Sequence, residues 1–327
     1  MKFSIRHILR WFDSGAAAAA GEGEGMAVGA DRGRSARYAR YVPFLAMHLA
    51  CLAVLWVGVS PFAVGLAVAG YLLRMFAITA FYHRYFAHRT FHTSRALQFA
   101  GGFIGAAAAQ RGPLWWAAHH RVHHRLSDQP GDTHSPVQDT FWFSHCGWFL
   151  EEKNFASNHG RVPDLAKFPE LRWLDRLDIL PPLFWAIGCY GLGVAANAGW
   201  PAWGTSGAQC LIWGFFISTV VLYHGTFTIN SLAHRFGTRD YETRDDSRNN
   251  AWLALLTLGE GWHNNHHFHP GTVRQGFRWW QLDPTYWILL LLGRMGLVWG
   301  LRGVPQRVLD AAGRQGQRPT RALPEGS

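Results

Sequence analysis

The residues of this sequence that could carry chemistry are histidines in short clusters. The stretch "GEGWHNNHHFHP" contains His263, His266 and His267, at positions i, i+3 and i+4. Residues at this spacing share one face of a helix. Neutral imidazole is the commonest nitrogen ligand for iron, zinc and copper. A helix over these residues would therefore present three metal-ligating groups together.

Two further clusters lie earlier in the chain. The stretch "HHRVHH" places His120, His123 and His124 at the same helical spacing. His83 and His88 of "HRYFAH" lie five residues apart, so they converge only where a helix ends or widens.

His234 lies four residues after Asn230, which makes another pair on one helix face. The clusters and His234 supply nine histidines, more than the roughly four to six ligands that one ion takes. Two ions would use them. Each cluster alone could be a basic surface patch or an interfacial pair. Seven other histidines are read as packing or surface residues: His7, His48, His92, His145, His159, His224 and His269.

The composition indicates a membrane protein with a sizeable polar part. Of 327 residues, 49% are hydrophobic and only 16% are charged, compared with roughly 25% in soluble domains. Four scattered cysteines, without CxxC spacing, are typical of buried thiols in a reducing compartment. The net charge of +10 would suit anionic lipid, an acidic protein or nucleic acid, but the sequence contains no nucleic-acid motif.

Four apolar stretches are each about long enough to cross a bilayer as a helix: 42–59, 62–82, 179–199 and 209–229. Two shorter ones, 97–109 and 285–300, fit interfacial or buried helices better. Arg74 lies inside the second long stretch and should face protein or water, because a charge in lipid is costly.

The distribution of basic residues gives an orientation. The turn at Ser60 and the loop 200–208 contain no Lys or Arg, whereas the other connecting segments are rich in them. The positive-inside rule then places both termini and every histidine cluster on the cytoplasmic side of the membrane. We expect an amphipathic segment and linker over 1–40, one membrane domain over 41–310, and a disordered tail over 311–327.

The combined motifs HxxxxH, HRxHH, NSxAH and HNxHH resemble the histidine boxes of membrane fatty-acyl desaturases, in particular the stearoyl-CoA Δ9 branch. The resemblance covers roughly 75–300 and is densest over 230–270. It implies an all-α integral membrane protein with four transmembrane helices under a cytosolic helical cap that holds two irons. It also implies insertion of a cis double bond into an acyl chain, with O₂ as co-substrate.

The resemblance implies a ligand set for each iron. The first set is His83, His88, His124 and His267, with Asn230 acting through a water molecule. The second set is His120, His123, His234, His263 and His266. The glutamates of soluble di-iron bundles have no counterparts in this set.

The substrate carrier stays open, because the chain departs from the acyl-CoA enzymes near the CoA head group. His119 follows Ala118 where those enzymes have an Arg-Asp pair, and Glu151 and Glu152 replace cations. CoA, acyl-carrier protein and a complex lipid are all candidates. A separate electron donor is expected, such as a ferredoxin, a rubredoxin or cytochrome b5, and acidic donors suit a basic face. Tryptophans could line the acyl tunnel or pack in the core: Trp115, Trp116, Trp142, Trp148 and Trp262.

Two other functions fit parts of the pattern. Fatty-acid hydroxylases and alkane monooxygenases share histidine boxes, but they usually space them differently. A non-enzymatic metal transporter should place its ligands along a path within its spans, whereas these clusters lie at or beyond the helix ends.

Overall fold

The computed structural model describes residues 41–315. The segment predicted over 1–40 and the tail from 316 onward lie outside them. The described part is mostly helical. Its helices are α1 (Tyr41–Val57), α2 (Pro61–Ala87), α3 (Arg95–Ala106), α4 (Pro113–Leu126), α5 (Pro163–Ala166), α6 (Pro169–Arg176), α7 (Leu180–Gly199), α8 (Gly207–His234), α9 (Ala251–Leu256), α10 (His263–Phe268), α11 (Pro284–Arg294) and α12 (Gln306–Gln315).

The remaining regular structure is short. One antiparallel pair joins β1 (His92–Thr93) to β2 (Val298–Trp299). Short π- or 3₁₀-helical segments lie at Phe143–Gly147, Trp148–Leu150, Glu152–Asn154, His159–Arg161 and Pro201–Trp203.

Two of the described helices, α2 and α8, are long and apolar enough to cross a membrane. The pair α6 and α7 makes a third candidate if it is counted as one span bent by 71°, and α1 is apolar but shorter. Each predicted apolar stretch falls on one helix, in the order α1, α2, α7 and α8. The structure therefore supports two or three spans by length and composition, against the four predicted.

Serine caps start the two long helices. The Ser60 hydroxyl accepts a hydrogen bond from the amide of Ala63, and Pro61 occupies the first helical position. Ser206 caps α8 in the same way through the amide of Gln209. A serine cap satisfies an amide that the first turn leaves without a partner.

Arg74 is fully buried between α2 and α8, so it faces protein as expected. Its guanidinium donates to the hydroxyls of Thr219 and Ser218 at 2.6 and 2.7 Å and to the carbonyl of Ala107 at 3.2 Å. These bonds compensate for its removal from water, because every acceptor is a neutral oxygen held in place by the fold.

The polar part of the fold packs around the last turns of α2. Helix α3 approaches closely because glycines face the aromatic side chains of α2. A Cβ at Gly101 would lie 2.2 Å from the ring of Phe81, and one at Gly105 would lie 2.4 Å from the ring of Tyr82. Helix α4 and buried leucines of α5 and α6 complete this core.

A buried ion-pair network fixes the end of α2 to the C-terminal part of the chain. Arg84 contacts Asp283, the N-cap of α11, and Glu260, both at 3.0 Å. All three side chains are at most 9% exposed, so water screens these contacts little.

Candidate metal centre

The structure brings all nine predicted histidine ligands together at the cap end of α2, in two adjacent groups. In each group one ring nitrogen of every member lies within 4.8 Å of those of the others. The five-histidine group is His83, His88, His120, His124 and His266. The four-histidine group is His123, His234, His263 and His267.

His83 and His88 meet because the last part of α2 is a π-helix over Ala77–Ala87. The wider turn makes i and i+5 neighbours, and the amide of His88 bonds the carbonyl of His83 at 3.2 Å. The two ring centroids lie 4.8 Å apart. The five-residue spacing predicted that the two histidines meet only where a helix ends or widens. It did not predict the π-helix itself.

Helices α4 and α10 each contribute to both groups. On α4, His120 and His124 belong to the five-histidine group and His123 to the four-histidine group. On α10, His266 belongs to the former and its neighbour His267 to the latter. The predicted i, i+3, i+4 faces therefore form, and each helix spans the boundary between the groups.

The nitrogen–nitrogen distances match those of neighbouring ligands on one ion. The Nε2 atoms of His83 and His266, of His88 and His120, and of His266 and His124 are 2.9 Å apart. The Nε2 atoms of His234 and His263 are 3.0 Å apart. Two imidazoles bound at about 2.0–2.1 Å and at a right angle would be separated by about 2.9 Å.

Two further ligand atoms are buried without a partner, namely Nε2 of His123 and Nε2 of His267. A buried ring nitrogen without a hydrogen bond costs free energy. A bound metal ion would remove that cost, so the side chains fit a metal centre.

In four of the candidate ligands, the second ring nitrogen, Nδ1, contacts a carboxylate. The Nδ1 atoms of His123, His234 and His267 lie 2.9, 2.8 and 2.6 Å from Asp132, Asp128 and Asp245. The Nδ1 atom of His83 contacts Glu260, which also pairs with Arg84.

A carboxylate acceptor fixes the hydrogen on Nδ1 and leaves Nε2 free to bind metal, so these four acids orient the candidate ligands. None was identified from the sequence.

Two of these acids come from one turn after α4. Asp128 has a φ of 56°, in the left-handed region that non-glycine residues rarely adopt, and Gly131 has a φ of 95°. Asp132 accepts from the amide of Asp128 at 2.9 Å, and Asp128 accepts from the hydroxyl of Ser135 at 2.6 Å. Residues in strained backbone conformations cluster at functional sites, and here the strain lies beside the candidate ligands.

Burial keeps six of the nine candidate ligands neutral. It lowers the pKa values of five of them, and the neighbouring imidazoles add to the effect: His88, His120, His124, His263 and His266. Burial also lowers the pKa of His267 to about 4, although the bond to Asp245 opposes it. Neutral imidazole is the form that binds metal.

The aspartates that contact these histidines are ionised, because their interactions with the imidazoles outweigh the effect of burial. Burial raises the pKa of Asp128, but its interactions with His234, together with the hydrogen bonds from Ser135 and the amide of Asp246, outweigh burial and hold that pKa at about 2. His123 has the corresponding effect on Asp132 and lowers its pKa further.

The grouping differs from the ligand sets that the resemblance implied. The structure places His120 and His266 with His83 and His88, and it places His267 with His123. Residues at the boundary lie close to both groups; the rings of His124 and His267, for example, are 4.5 Å apart. Which ion each histidine binds stays a prediction.

Asn230 lies one turn before His234 on α8 and lines the same cavity as His120, His123 and His263. Its backbone carbonyl accepts from the hydroxyl of Ser144 at 2.6 Å. Its role through water stays a prediction.

A cavity of about 530 Å³ adjoins the metal centre. Its polar end is lined by histidines of both groups, and the rest is largely apolar, with Met75, Ile78, Phe215 and Phe227. Gln110 and Thr226 form a hydrogen bond of 2.8 Å in its wall. Of the tryptophans considered above, Trp115, Trp116 and Trp148 line it. Trp142 and Trp262 do not; the first is exposed and the second is buried.

His134 was also missed by sequence reasoning. It stacks on His123 with ring centroids 4.2 Å apart, and it forms a third group with His123 and Asp132. One feature of the sequence could have indicated this role: in the stretch "DQPGDTHSP", two acids and a histidine directly follow a histidine cluster.

His119, at the departure from the acyl-CoA pattern, is buried between the rings of Trp115 and Trp148. Burial lowers its pKa to about 4, with Arg161 and Arg111 adding to the effect. The side chain is therefore neutral at pH 7 and supplies no charge for a phosphate group.

Comparisons with known proteins give the family. The fatty acid desaturase family model matches residues 59–299. A probable chloroplastic lipid desaturase of Arabidopsis thaliana is 39% identical over 67% of this chain and 58% of its own length. A palmitoyl-monogalactosyldiacylglycerol delta-7 desaturase of the same plant is 36% identical over 77% of this chain and 65% of its own length.

The chain thus spans less than two thirds of these two relatives. It covers more of an sn-2 palmitoyl-lipid 9-desaturase of Nostoc, which is 34% identical over 83% of this chain and 93% of its own length. The family predicted from the histidine motifs is confirmed: the chain belongs to the fatty acid desaturase family.

Proposed function

We propose that this protein is an O₂-dependent desaturase that introduces a cis double bond, at Δ9, into a saturated fatty-acyl chain for unsaturated fatty acid biosynthesis. One observation carries the proposal: two buried histidine groups, oriented by carboxylates, open on a largely apolar cavity. Such a cavity suits an acyl chain, and the groups suit metal-dependent oxidation at its wall.

The metal proposed is iron, with two ions held by the nine histidines and Asn230 assisting through water. When bound, iron supplies the oxidising chemistry that removes hydrogen from an unactivated methylene. The chain's own residues do the rest. Asp128, Asp132, Asp245 and Glu260 hold the imidazoles in the ligating tautomer, and the largely apolar wall disfavours water beside them.

The fold proposed around this site has four transmembrane helices, α1, α2, α7 and α8, in the cytoplasmic membrane. Residues 41–310 form the membrane domain, and both termini and the metal centre lie in the cytoplasm. Two features support this: the apolar helices, and the absence of Lys and Arg from the turn at Ser60 and the loop 200–208.

We place the acyl substrate on a membrane lipid in preference to CoA. The Nostoc relative, matched over nearly its full length, is named as acting on a palmitoyl-lipid. Pro43, in the first turn of α1, and Ile179, the residue before α7, are exposed and line the cavity, which suits entry from the membrane. Arg111, also in the lining, pairs with Asp178 at 3.2 Å.

The carrier is tested with the purified protein in lipid nanodiscs and an added electron donor. A saturated acyl-phospholipid, an acyl-CoA and an acyl-carrier protein are offered in turn. Product from the phospholipid alone supports the proposal. Product from acyl-CoA in detergent, without added lipid, would reject it.

Electrons must come from a separate protein such as a ferredoxin, a rubredoxin or cytochrome b5. The net charge of +10 favours an acidic donor, because complementary charge speeds the encounter of two proteins.

The activity is tested by gas chromatography–mass spectrometry of fatty acids from a bacterial host that expresses the chain with a ferredoxin pair. We expect a new monounsaturated acid, absent with His266→Ala and retained with His92→Ala, whose histidine lies on β1. A hydroxy acid would instead indicate the related hydroxylases. A protein that binds iron and receives electrons but forms neither product would contradict both activities.

A further inference from the structure

Apolar side chains are exposed on three segments of the C-terminal part of the chain: α9, the loop 279–282 and α11. Trp252 of α9 is 81% exposed and Trp279 of the loop is 87% exposed, although tryptophan is highly buried on average. Trp280 and Trp287 are exposed as well. We call the exposed apolar side chains of these three segments the C-terminal apolar face.

The three segments lie side by side. The amide of Thr285, in the first turn of α11, donates to the carbonyl of Leu258, just after α9, at 3.1 Å. The indole of Trp262 donates to the carbonyl of Leu282 at 2.7 Å, and its ring centroid lies 5.9 Å from that of Trp280. The C-terminal apolar face is therefore one continuous surface, and contiguous exposed apolar surface marks an interaction site.

Helix α11 is apolar on both of its sides. Leu289 is fully buried in the core, whereas Trp287, Leu291 and Met295 follow one another at four-residue spacing and are exposed. A surface helix of a soluble domain carries charged or polar residues on its outer face. Helix α11 has no charged residue before Arg294, so its outer face does not suit contact with water.

The length of α11 excludes a membrane span. Its 11 residues rise about 16 Å as an α-helix, compared with about 30 Å for the hydrocarbon core of a bilayer. The sequence left this stretch open between an interfacial and a buried helix. Because one side is buried and the other is apolar and exposed, the structure favours a helix that lies along the interface.

The C-terminal apolar face continues the surface of α2, a helix long and apolar enough to cross a membrane. The hydroxyl of Tyr71 on α2 donates to the carbonyl of Leu256 on α9 at 2.6 Å. The hydroxyls of Thr79 on α2 and Thr285 on α11 are 2.7 Å apart. Leu72 of α2 is exposed. Lipid that surrounds α2 at Leu72 therefore meets α9 and the start of α11 as its next neighbours.

The exposed charges on these segments are positive. Residues 251–256 and 278–299 include a single acid, Asp283, which is buried and pairs with Arg84. Arg278 and Arg294 are exposed. Tryptophan is enriched at membrane interfaces, and arginine there meets anionic head groups. Protein interfaces share this composition, but the continuity with α2 favours lipid as the partner.

We propose that the C-terminal apolar face lies in the cytoplasmic interface of the bilayer, among anionic lipid head groups. Helix α10, which carries three of the candidate ligands, lies in the chain between α9 and α11. Lipid contacts on both flanks would therefore hold α10 at the membrane surface. This inference rests on the membrane location proposed above and does not depend on the reaction.

Nitroxide spin labels test where the face lies, in nanodiscs of mixed neutral and anionic phospholipid. Cys51 and Cys146 are replaced by alanine, the other two cysteines are buried, and one label is attached to Trp279→Cys or Trp287→Cys. Oxygen concentrates in the apolar part of a bilayer, whereas a water-soluble nickel chelate stays outside it. The ratio of relaxation by oxygen to relaxation by the chelate therefore reports the contact of each label with lipid.

Two control labels define the scale. Val68→Cys, exposed on α2, should give the highest ratio, and Asp310→Cys, exposed on α12, the lowest. We expect the labels at 279 and 287 to give ratios clearly above that of Asp310→Cys. Ratios equal to that of Asp310→Cys, with a high ratio for Val68→Cys, would overturn the proposal. A low ratio for Val68→Cys as well would overturn the membrane location with it.

Two further outcomes are distinguishable from these. Labels at 279 and 287 that are shielded from both reagents, with dipolar coupling between copies, would assign the face to a second copy of the chain and overturn the lipid contact. The expected ratios in a protein that makes no product would reject desaturation and leave the lipid contact in place.

The contact with anionic head groups is tested with the two exposed arginines. Arg278→Glu combined with Arg294→Glu should lower the ratio at residue 287 towards that of Asp310→Cys in nanodiscs with anionic lipid, and should lower it less in neutral lipid. Arg244→Glu, exposed in the segment after α8, is the matched control and should leave the ratio unchanged. An equal fall in both lipids would show that the arginines do not contact anionic head groups.

Discussion

The Nδ1 atom of His234 lies 2.8 Å from a carboxylate oxygen of Asp128, a residue 106 positions earlier in the chain. The same oxygen accepts from the amide of Asp246 at 2.9 Å. One buried acid thus connects the turn after α4, the end of α8 and the segment after it. Its charge both orients a candidate ligand and holds three parts of the chain around the metal centre.

Asp128→Asn should weaken metal binding by about 10–100-fold, the usual cost of losing the partner of a ligating histidine. Metal content after dialysis against a graded chelator measures this. Asp246→Asn is the matched control, because the Asp246 side chain is 45% exposed and pairs with Arg239 at 3.3 Å. Equal metal retention by the two variants would show that the acid does not orient His234.

The metal-free protein should lose stability as the pH falls from about 6.5 towards 4. The folded state lowers the pKa of His267 to about 4, so between these values the unfolded chain binds more protons than the folded one. Stability is therefore full above the unfolded pKa and decreases below it. The loss from His267 alone is about 3 kcal/mol.

The measurement is the Tm of the chelator-treated protein at pH 7.5 and pH 5. The pKa values of five other histidines of the centre are lowered as well, namely those of His88, His120, His124, His263 and His266, so a His267→Gln variant should show a smaller fall of Tm but still a fall. A Tm that is flat over this range would contradict the buried, neutral state of these side chains.

Gly101→Ala should destabilise the protein by about 1–3 kcal/mol, the range for overpacking. The new Cβ would lie 2.2 Å from the Phe81 ring, which belongs to the π-helical part of α2, so the fit around His83 should suffer as well. Gly65→Ala is the control: Gly65 lies on α2, the helix of Phe81, and no atom lies within 4 Å of the added methyl group. This control should gain up to about 1 kcal/mol from helix propensity. A Gly101→Ala protein with unchanged Tm and metal content would show that α3 can move aside.

Arg74→Met should lower Tm clearly, because it leaves the hydroxyls of Ser218 and Thr219 and the carbonyl of Ala107 with fewer donors. Each buried polar group that loses its partner costs about 1–3 kcal/mol. Adding Ser218→Ala and Thr219→Val should recover part of the loss, since removing both partners is nearly neutral. A triple variant no more stable than Arg74→Met would show that the loss does not come from the unpaired hydroxyls.

The local parts of the site were predictable, because helix periodicity is a property of the sequence alone. The spacing of His120, His123 and His124 on α4 predicted that all three would project from one side of a helix towards a metal centre, and the structure places them there, although it divides them between the two groups. The convergence of His83 and His88 needed a π-helix, which no simple residue pattern specifies.

The acids could not be found from the sequence, because their partners are set by tertiary packing. Asp128 and Asp245 reach histidines on other elements, and Glu260 reaches back to α2. Asp132 is closer to its partner, but its approach depends on the left-handed backbone at Asp128. His145 and His224 were read as packing residues for the same reason: their ring nitrogens lie 2.9 Å apart although the two residues are 79 positions apart in the chain.

The pairing of His83 with His266, across 183 residues, sets an order on biosynthesis. When α2 leaves the ribosome, its histidines have no partners from α10, and the acid that fixes the His83 ring has not been translated. The five-histidine group is complete only once synthesis has passed residue 266. A metal ion that needs the complete groups would therefore bind only after α10 has been made, because a chain truncated before α10 lacks one member of the five-histidine group and two members of the four-histidine group.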